Sequence, residues 1–385
     1  MFLGIDISKL NFDAILLDGP PNAPVGNGTQ GRSSQGKSRP NKPRPNKPSH
    51  KAFPNTPAGF ERLQQWLQQW LAGRTLQGAA SPSDPGADSA TVHVCMEATG
   101  TYGDALARFL YAQGHTVSVV NPAQIKAFGQ AKLSRTKTDK ADAILIAHFC
   151  QMHSPPAWTP PPPEADTLQA LARRLETLQQ MRQMEQNRLD TAPAPVRTSI
   201  EAVLAVLDQQ IAQTQAAIQD HIDNTPTLKG QRELLISIPG IADATAAAIL
   251  SELVDVTQFA GARQVAAFAG LVPRIRQSGT SVRGKSCLSK TGSARLRHAL
   301  YFPAVSALRF NPAIRDMGAR LIASGKCKMV IIGAAMRKLL QIAFGVLKSG
   351  KPFDPHYGPH PVPNFQSTSA PNFPPNFCQK VAAGA

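Results

Sequence analysis

The first eighteen residues of the chain place a carboxylate in the middle of an apolar strand. The stretch FLGIDISKLNFDAILLD alternates like two short strands joined by a turn at Ser8–Lys9, and Asp6 lies in the first of them. A charged side chain among apolar neighbours is unfavourable unless it is paired or coordinated. Any fold that this chain adopts must therefore supply Asp6 with a partner.

Apolar strands alternate with amphipathic helices over the residues that follow. The segments TVHVCME and HTVSVVNP are typical of strands, and helical spacing of apolar residues separates them. This alternation predicts an α/β domain with a central, partly parallel sheet over residues 1–157. Two segments without an apolar pattern interrupt it: a basic insertion at about 20–55, predicted to be disordered, and a linker at about 78–90.

The second half of the chain is predicted to be helical. A proline-rich hinge leads into two amphipathic segments over 158–227, broken by TAPAP, which favour a helical hairpin or coiled-coil pair. Residues 228–355 follow as a mainly α-helical domain. It begins with LLISIPGIADATAAAILSEL, which is similar to a helix-hairpin-helix module with a phosphate-binding turn; an ordinary helical hairpin is the alternative. The tail at 356–385 is predicted to be disordered.

The distribution of charge favours a polyanionic partner. The net charge is +16, and residues 256–353 contain 17 Lys or Arg against one acid, Asp316. A one-sided surface of this kind suits nucleic acid, because each neutralised phosphate releases counterions; a membrane or another acidic partner is the alternative. No uninterrupted apolar run reaches the roughly 20 residues that span a bilayer. Five scattered cysteines without a CxxC pair indicate a reducing cytoplasm.

Three further carboxylates stand at the ends of elements in the α/β domain. Glu97 ends a strand, while Asp139 and Asp142 begin a helix and share one of its faces. Strand ends and helix starts can converge on one site in an α/β sheet, and converging carboxylates suit Mg²⁺ (or Mn²⁺). With Asp6 they form a candidate two-metal site for phosphoryl transfer. The helix-start pair has an alternative interpretation, in which the helix dipole alone stabilises it.

Several motifs then resemble one family of proteins. In the α/β domain they are GIDIS, EATGTYG and VVNPAQIKAFGQAKLSRTKTDKADA, and in the helical domain SIPGI, VAAFAGLVPR, SGTSVRG and LSKTGSARLRHAL. In this order they resemble the DEDD transposases of the IS110 insertion-sequence family, to which Piv-type DNA invertases belong. The resemblance covers most of residues 1–355 and leaves out the insertion, the linker and the tail.

The resemblance implies a fold and a set of catalytic residues. It implies a RuvC-like, RNase H-type N-terminal domain, a coiled-coil connection and a C-terminal transposase domain. The four family acids correspond to Asp6, Glu97, Asp139 and Asp142, and the family's serine nucleophile corresponds to Ser278. Because the acids and Ser278 fall in different predicted domains, we expect a composite site.

The resemblance also implies the partners. We expect a metal-dependent transposase or recombinase that acts on donor and target DNA, guided by a structured (bridge) RNA. It should work as a homo-oligomer, a dimer that assembles to a tetramer, in the nucleoid of a bacterial or archaeal cytoplasm.

The surroundings of Ser278 suit a scissile phosphate. Ser278 lies in a glycine-containing loop among cations that can hold a phosphate and stabilise charge during transfer. The neighbouring Ser281, Ser286 and Ser289 cannot be ranked against it by sequence alone. The predicted nucleic-acid contacts are Lys137, Lys140, Arg274, Arg276, Arg283, Lys285, Lys290, Arg295 and Arg297.

Two other functions use the same residues. A RuvC-like, structure-selective nuclease would use the acids and a metal-activated water, without a serine. A non-catalytic nucleic-acid-binding protein, such as the product of a decayed element, would use only the basic surface. Replacement of Ser278 separates the first of these from a recombinase, and replacement of Asp6 tests the second.

Overall fold

The predicted proline-rich hinge contains the boundary between two compact units, Met1–Pro160 and Pro161–Ala385. In this computed structural model the described residues are 1–18, 48–75, 91–98, 100–133, 138–275, 277–278, 282–284 and 287–356. Most of the predicted insertion, the linker and nearly all of the tail lie outside them, as do Lys137, Arg276 and Lys285.

The first unit contains a five-stranded mixed sheet. Its strand order is β3-β2-β1-β4-β5. The first three strands pair antiparallel, while β4 pairs parallel with both β1 and β5. This confirms the predicted α/β class and its partly parallel sheet. The strands are β1 (Phe2–Ile7), β2 (Asn11–Leu17), β3 (Ser49–Pro54), β4 (His93–Glu97) and β5 (Thr116–Val120).

Strand β3 corrects the prediction of a disordered insertion at 20–55. Residues 49–54 of that segment pair with β2 as the edge strand of the sheet. Phe53 anchors the strand, because its ring is 3% exposed and packs against Phe12 and Trp66 at centroid distances of 5.5 and 5.9 Å. One buried aromatic side chain in an otherwise polar stretch is too weak a pattern to predict a strand.

Helices cover both faces of the sheet. Two of them, α1 and α2, bury their apolar stripes against the face that carries Leu3, Ile5 and Phe12. The other two, α3 and α4, pack on the opposite face with Cys95 and Ile15. The helices are α1 (Pro57–Thr75), α2 (Asp104–Ala112), α3 (Pro122–Ala131) and α4 (Asp139–His153).

The second unit is mainly helical, as predicted. Helices α5 and α6 pack against each other as a hairpin, and Leu168, Ile218 and Ile222 at its root join the core of the unit. A coiled coil is not confirmed. The helices are α5 (Pro163–Thr191), α6 (Ala194–Asp223), α7 (Pro226–Ile236), α8 (Asp243–Glu252), α9 (Ala262–Phe268), α10 (Ala294–Phe310), α11 (Pro312–Ala323) and α12 (Lys328–Ser349).

Helix α12 is long and apolar enough, by length and composition, to cross a membrane. Its most apolar window is 61% buried inside the unit, where ten residues of the helix are buried. Arg337 and Lys338 interrupt the apolar sequence halfway along. These features are typical of the central helix of a helical domain.

Candidate catalytic acids and serine segment

Asp6 lies on the α4 side of the sheet because side chains alternate along β1. Leu3, Ile5 and Ile7 point into the core on the α1 side, so Gly4 and Asp6 face α4. A Cβ atom at Gly4 would lie 2.2 Å from the Ala147 nitrogen, and therefore only glycine lets α4 lie this close to the strand. This contact brings the helix directly over the strand that carries Asp6.

Glu97 reaches the same face from the neighbouring strand. It ends β4, two residues after Cys95, which is buried on the α4 side. The parallel register pairs Ile5 with Met96, so the next step along both strands places Asp6 beside Glu97. Both carboxylates are half-buried. Strand alternation and register thus account for their common position.

Asp139 and Asp142 occupy the first turn of α4. Thr138 caps this helix, and its side-chain oxygen accepts a hydrogen bond of 3.2 Å from the Ala141 nitrogen. The helix dipole stabilises both aspartates at this end. Stabilisation of these two aspartates by the helix dipole is therefore compatible with their predicted convergence on Asp6.

The other three acids each influence the ionisation of Asp6. The pKa of Asp6 is raised from 3.8 to about 6, first by burial and then, in order of size, by the charges of Asp142, Asp139, Glu97 and Asp13. Among the described residues, no three His, Cys, Asp or Glu side chains form a ready set of metal ligands. The acids share one electrostatic field without converging on one coordination point.

Asp13 and His50 are members of this acidic face that sequence reasoning missed. Asp13 lies directly opposite Asp6 in the antiparallel β1–β2 register. His50, on β3, is paired with Asp13, and the distance from its Nε2 to the Asp13 Oδ1 is 2.5 Å. The side chain of His50 is 28% exposed and that of Asp13 is 18% exposed. Because Asp6 and Asp13 lie on either side of the predicted Ser8–Lys9 turn, the sequence could have indicated that they face each other. The position of His50 could not be predicted, because β3 was not.

Ser278 lies in a short two-stranded ribbon. Strand β7 (Gln277–Ser278) pairs with β8 (Val282–Arg283), and β6 (Pro273–Arg274) pairs with β9 (Cys287–Leu288) on either side of them in the chain. The predicted Gly-containing loop thus has a hairpin organisation. The side chains of Ser278 and Arg283 lie outside the described part of the molecule.

The predicted nucleic-acid contacts have different surroundings. Lys140, Arg274 and Lys290 are exposed. Arg295 is 50% exposed and forms an ion pair of 2.5 Å with Glu176, whereas Arg297 donates hydrogen bonds to two backbone carbonyl groups. Contacts of these five residues with nucleic acid stay predictions.

The turn of the predicted helix-hairpin-helix packs against α10. A Cβ atom at Gly240, where φ is +106°, would lie 3.0 Å from the Pro303 carbonyl oxygen and 2.9 Å from the Ala307 Cβ. The side-chain nitrogen of Asn311 donates to the Pro239 carbonyl oxygen at 3.5 Å. The hairpin between α7 and α8 thus has a structural role at this turn, and phosphate binding there stays a prediction.

Comparison with known proteins identifies the family. A family model described as "Transposase IS116/IS110/IS902 family" matches residues 232–318, and a model of DEDD transposases of the IS110 type matches residues 42–192. The pilin gene-inverting protein of Moraxella bovis is 32% identical over 355 residues, which cover 92% of this chain and 97% of the relative. The chain belongs to the IS110 family of transposases.

Two further relatives agree with this assignment. The pilin gene-inverting protein of Moraxella lacunata is also 32% identical over 355 residues, with 92% of this chain and 97% of the relative covered. The transposase for insertion sequence element IS1328 of Yersinia enterocolitica is 26% identical over 231 residues, 51% of this chain and 65% of the relative.

Family membership establishes the general activity. The chain is a DNA transposase or recombinase, with DNA as its substrate. The DEDD domain implies dependence on a divalent metal and suggests a RuvC-like fold for the first unit, in agreement with its mixed sheet. The matched ranges contain Glu97, Asp139, Asp142 and Ser278, while Asp6 precedes them.

Proposed function

We propose that this protein is a Mg²⁺-dependent, serine-using recombinase that cuts and rejoins DNA to move its own insertion sequence. The observation that carries the proposal is the acidic cluster around Asp6, whose pKa is raised to about 6 by burial and by neighbouring carboxylates. Carboxylates that repel one another at neutral pH are suited to a divalent cation, which relieves the repulsion.

The proposed metal ligands are Asp6, Glu97, Asp139 and Asp142. Their carboxylate oxygens are hard ligands of the kind that Mg²⁺ prefers. When bound, Mg²⁺ (or Mn²⁺) would supply Lewis-acid stabilisation of charge on the transferring phosphate. Because these acids do not form a ready coordination set, the proposal includes a small adjustment of the side chains on binding.

The serine step conserves the energy of the phosphodiester bond. The Ser278 Oγ attacks phosphorus and its proton passes to water, while the bond from phosphorus to the leaving strand breaks and the departing oxygen takes up a proton from water to give a free hydroxyl end. A hydroxyl end of another strand then attacks the phosphoserine and releases the serine. The exposed Arg274 and Lys290 are candidates to hold the phosphate.

The proposed partners follow from the resemblance and the basic surface. We infer a homo-oligomer, a dimer assembling to a tetramer, in the nucleoid of a bacterial or archaeal cell, which uses a guide (bridge) RNA to select donor and target DNA. The excess of cations over residues 256–353 supports binding of a polyanion without distinguishing RNA from DNA. The pilin gene-inverting relatives suggest that inversion of a DNA segment is a further outcome of the same chemistry.

The test is a strand-transfer assay that combines the protein with RNA transcribed from the element and with DNA of the element and its flanks. Ser278→Ala should abolish strand transfer and the covalent protein–DNA adduct while DNA binding stays intact. Ser281→Ala is the matched comparison three residues away: loss of strand transfer in this variant, with Ser278→Ala still active, would assign the nucleophile to Ser281 instead. Cleavage that persists in Ser278→Ala would support the metal-and-water nuclease instead, and full activity in Asp6→Asn would exclude catalysis by the acid cluster.

A further inference from the structure

Ser278 stands on a ribbon with a well-ordered pattern of contacts at its base. The base consists of residues 268–272 on one side and 289–293 on the other, and we call it the ribbon base. Three backbone hydrogen bonds join its two sides. The Ser289 nitrogen donates to the Val272 carbonyl at 2.8 Å, and the Ser293 nitrogen donates to the Phe268 carbonyl at 2.8 Å.

Two glycines allow the two sides of the ribbon base to approach closely. Gly270 and Gly292 have φ angles of +66° and +131°, which side-chain-bearing residues rarely adopt. A Cβ atom at Gly292 would lie 2.1 Å from the Phe268 carbonyl oxygen. The ribbon base is therefore a tight crossing of two backbone segments.

The guanidinium group of Arg297 lies at this crossing. Arg297 is on α10, and its Nη1 atom donates to the Ala269 carbonyl at 2.9 Å and to the Gly292 carbonyl at 3.2 Å. The first carbonyl belongs to one side of the ribbon base and the second to the other. A Cβ atom at Gly270 would lie 2.6 Å from the same nitrogen, so glycine there leaves room for the guanidinium group.

We propose that Arg297 is a positioning residue, which ties both sides of the ribbon base to α10 and thereby sets the direction in which Ser278 leaves the helical unit. Both hydrogens of Nη1 are already used by carbonyl oxygens, and bonds from a charged donor are about twice as strong as neutral ones. This role differs from the predicted contact with phosphate. It rests on the proposed function only in taking Ser278 as the nucleophile.

The alternative phosphate contact has a distinct signature. Loss of one phosphate contact lowers the slope of log binding constant against log salt by about 0.9 and weakens binding to all DNA sequences. Loss of a positioning residue leaves this slope unchanged and slows the chemical step. A misplaced reacting group of this kind lowers the rate by between about tenfold and a hundredfold.

The experiment compares Arg297→Met, Arg297→Lys and the control Arg309→Met. Arg309 is on the same helix, its side chain is exposed, and its removal changes the net charge by the same amount. We expect Arg297→Met to lower the strand-transfer rate by at least about tenfold with an unchanged salt slope. Arg297→Lys should keep more of the strand-transfer rate than Arg297→Met, since the single lysine nitrogen can still donate to a carbonyl oxygen.

Amide hydrogen exchange supplies a readout that does not depend on activity. The amides of Ser289, Lys290 and Ser293 donate across the ribbon base, so they should exchange faster in Arg297→Met and not in Arg309→Met. The proposal would be overturned if Arg297→Met reduced the slope of log binding constant against log salt. It would also be overturned if amide exchange and strand-transfer rates in Arg297→Met equalled those in Arg309→Met. If Ser278→Ala keeps strand transfer, the proposed nucleophile fails, while the exchange result still decides whether Arg297 holds the ribbon base.

Discussion

The acid cluster of the first unit and the serine ribbon of the second are held in place in different ways. The acids stand on five- and six-residue strands and a 15-residue helix, and close packing of that helix on the sheet brings them together despite their mutual repulsion. Ser278 stands on a strand of two residues that, among the described strands, pairs only with another two-residue strand, β8, and three backbone hydrogen bonds join the two sides of the ribbon base below it.

The two arrangements suit two different requirements of phosphoryl transfer. A metal site needs several carboxylates at defined positions, which long packed elements provide at some cost in stability. A nucleophile that forms and breaks a bond to DNA needs one side chain, which a short ribbon with a fixed base can present. The following experiments perturb each arrangement in turn.

The largest expected effect is that of Gly4→Ala, which forces α4 away from β1. The added Cβ would lie 2.2 Å from the Ala147 nitrogen and 2.4 Å from the Ala143 carbonyl oxygen, and backbone atoms cannot rotate aside. We expect the free energy of unfolding to fall by about 3 kcal/mol, measured by urea denaturation. A change below about 0.5 kcal/mol, the usual range of a harmless surface substitution, would show that close approach of α4 is not required.

Phe53→Ala should have an effect of similar size, because it removes the anchor of the edge strand. Truncation of a buried phenylalanine destabilises a protein by about 3 kcal/mol or more. Hydrogen exchange should locate the loss: amides of β2 and β3 should exchange faster, while those of α10 and α12 in the other unit should not. Equal acceleration in both units would contradict a local role of β3.

Elements that depend on local patterns could be predicted from the sequence, whereas those that depend on contacts between distant residues could not. The strands β1, β2, β4 and β5 and most helices were predictable, since each carries its own apolar period. Strand β3 was not, because its stability comes from Phe53 contacting residues distant in sequence. The two-residue strands of the ribbon are too short to carry any period.

The candidate sites show the same limit. The four acids were predicted from element ends and family motifs, and the charges of Asp142, Asp139 and Glu97 each contribute to the raised pKa of Asp6. Asp13 and His50 were missed because their position depends on strand register across β1, β2 and β3. The contacts of Arg297 are with backbone carbonyl groups, which no side-chain pattern reveals.

Asp6→Asn tests whether the acid cluster lowers stability. The pKa of Asp6 is raised from 3.8 to about 6 in the folded protein, so ionisation of this carboxyl above pH 6 disfavours the folded state. In the absence of divalent metal, the variant should therefore be more stable than the parent above pH 6. The advantage should shrink as the pH falls through 6 and vanish below 3.8, where both states bind the proton.

Urea denaturation between pH 3.5 and 7.5 in a chelating buffer measures this difference. Glu61→Gln on the exposed side of α1 controls for the loss of one negative charge. Added Mg²⁺ should then raise the melting temperature of the parent more than that of Asp6→Asn, because a ligand stabilises only the form that binds it. A variant less stable than the parent at pH 7.5 without metal would show that the cluster carries no repulsion.

The smallest expected effect is a stabilisation, by Gly345→Ala in α12. Gly345 is exposed, and a Cβ atom there would have no neighbour within 4 Å apart from the helix itself. Alanine in a helix interior is favoured over glycine by about 0.5–1 kcal/mol, so urea denaturation should show a gain of that size with unchanged strand transfer. The same substitution is thus expected to destabilise at Gly4 and to stabilise at Gly345, because only at Gly4 does another backbone occupy the space of the missing side chain. A loss of stability at Gly345 would mean that this face of α12 is covered in the protein in solution.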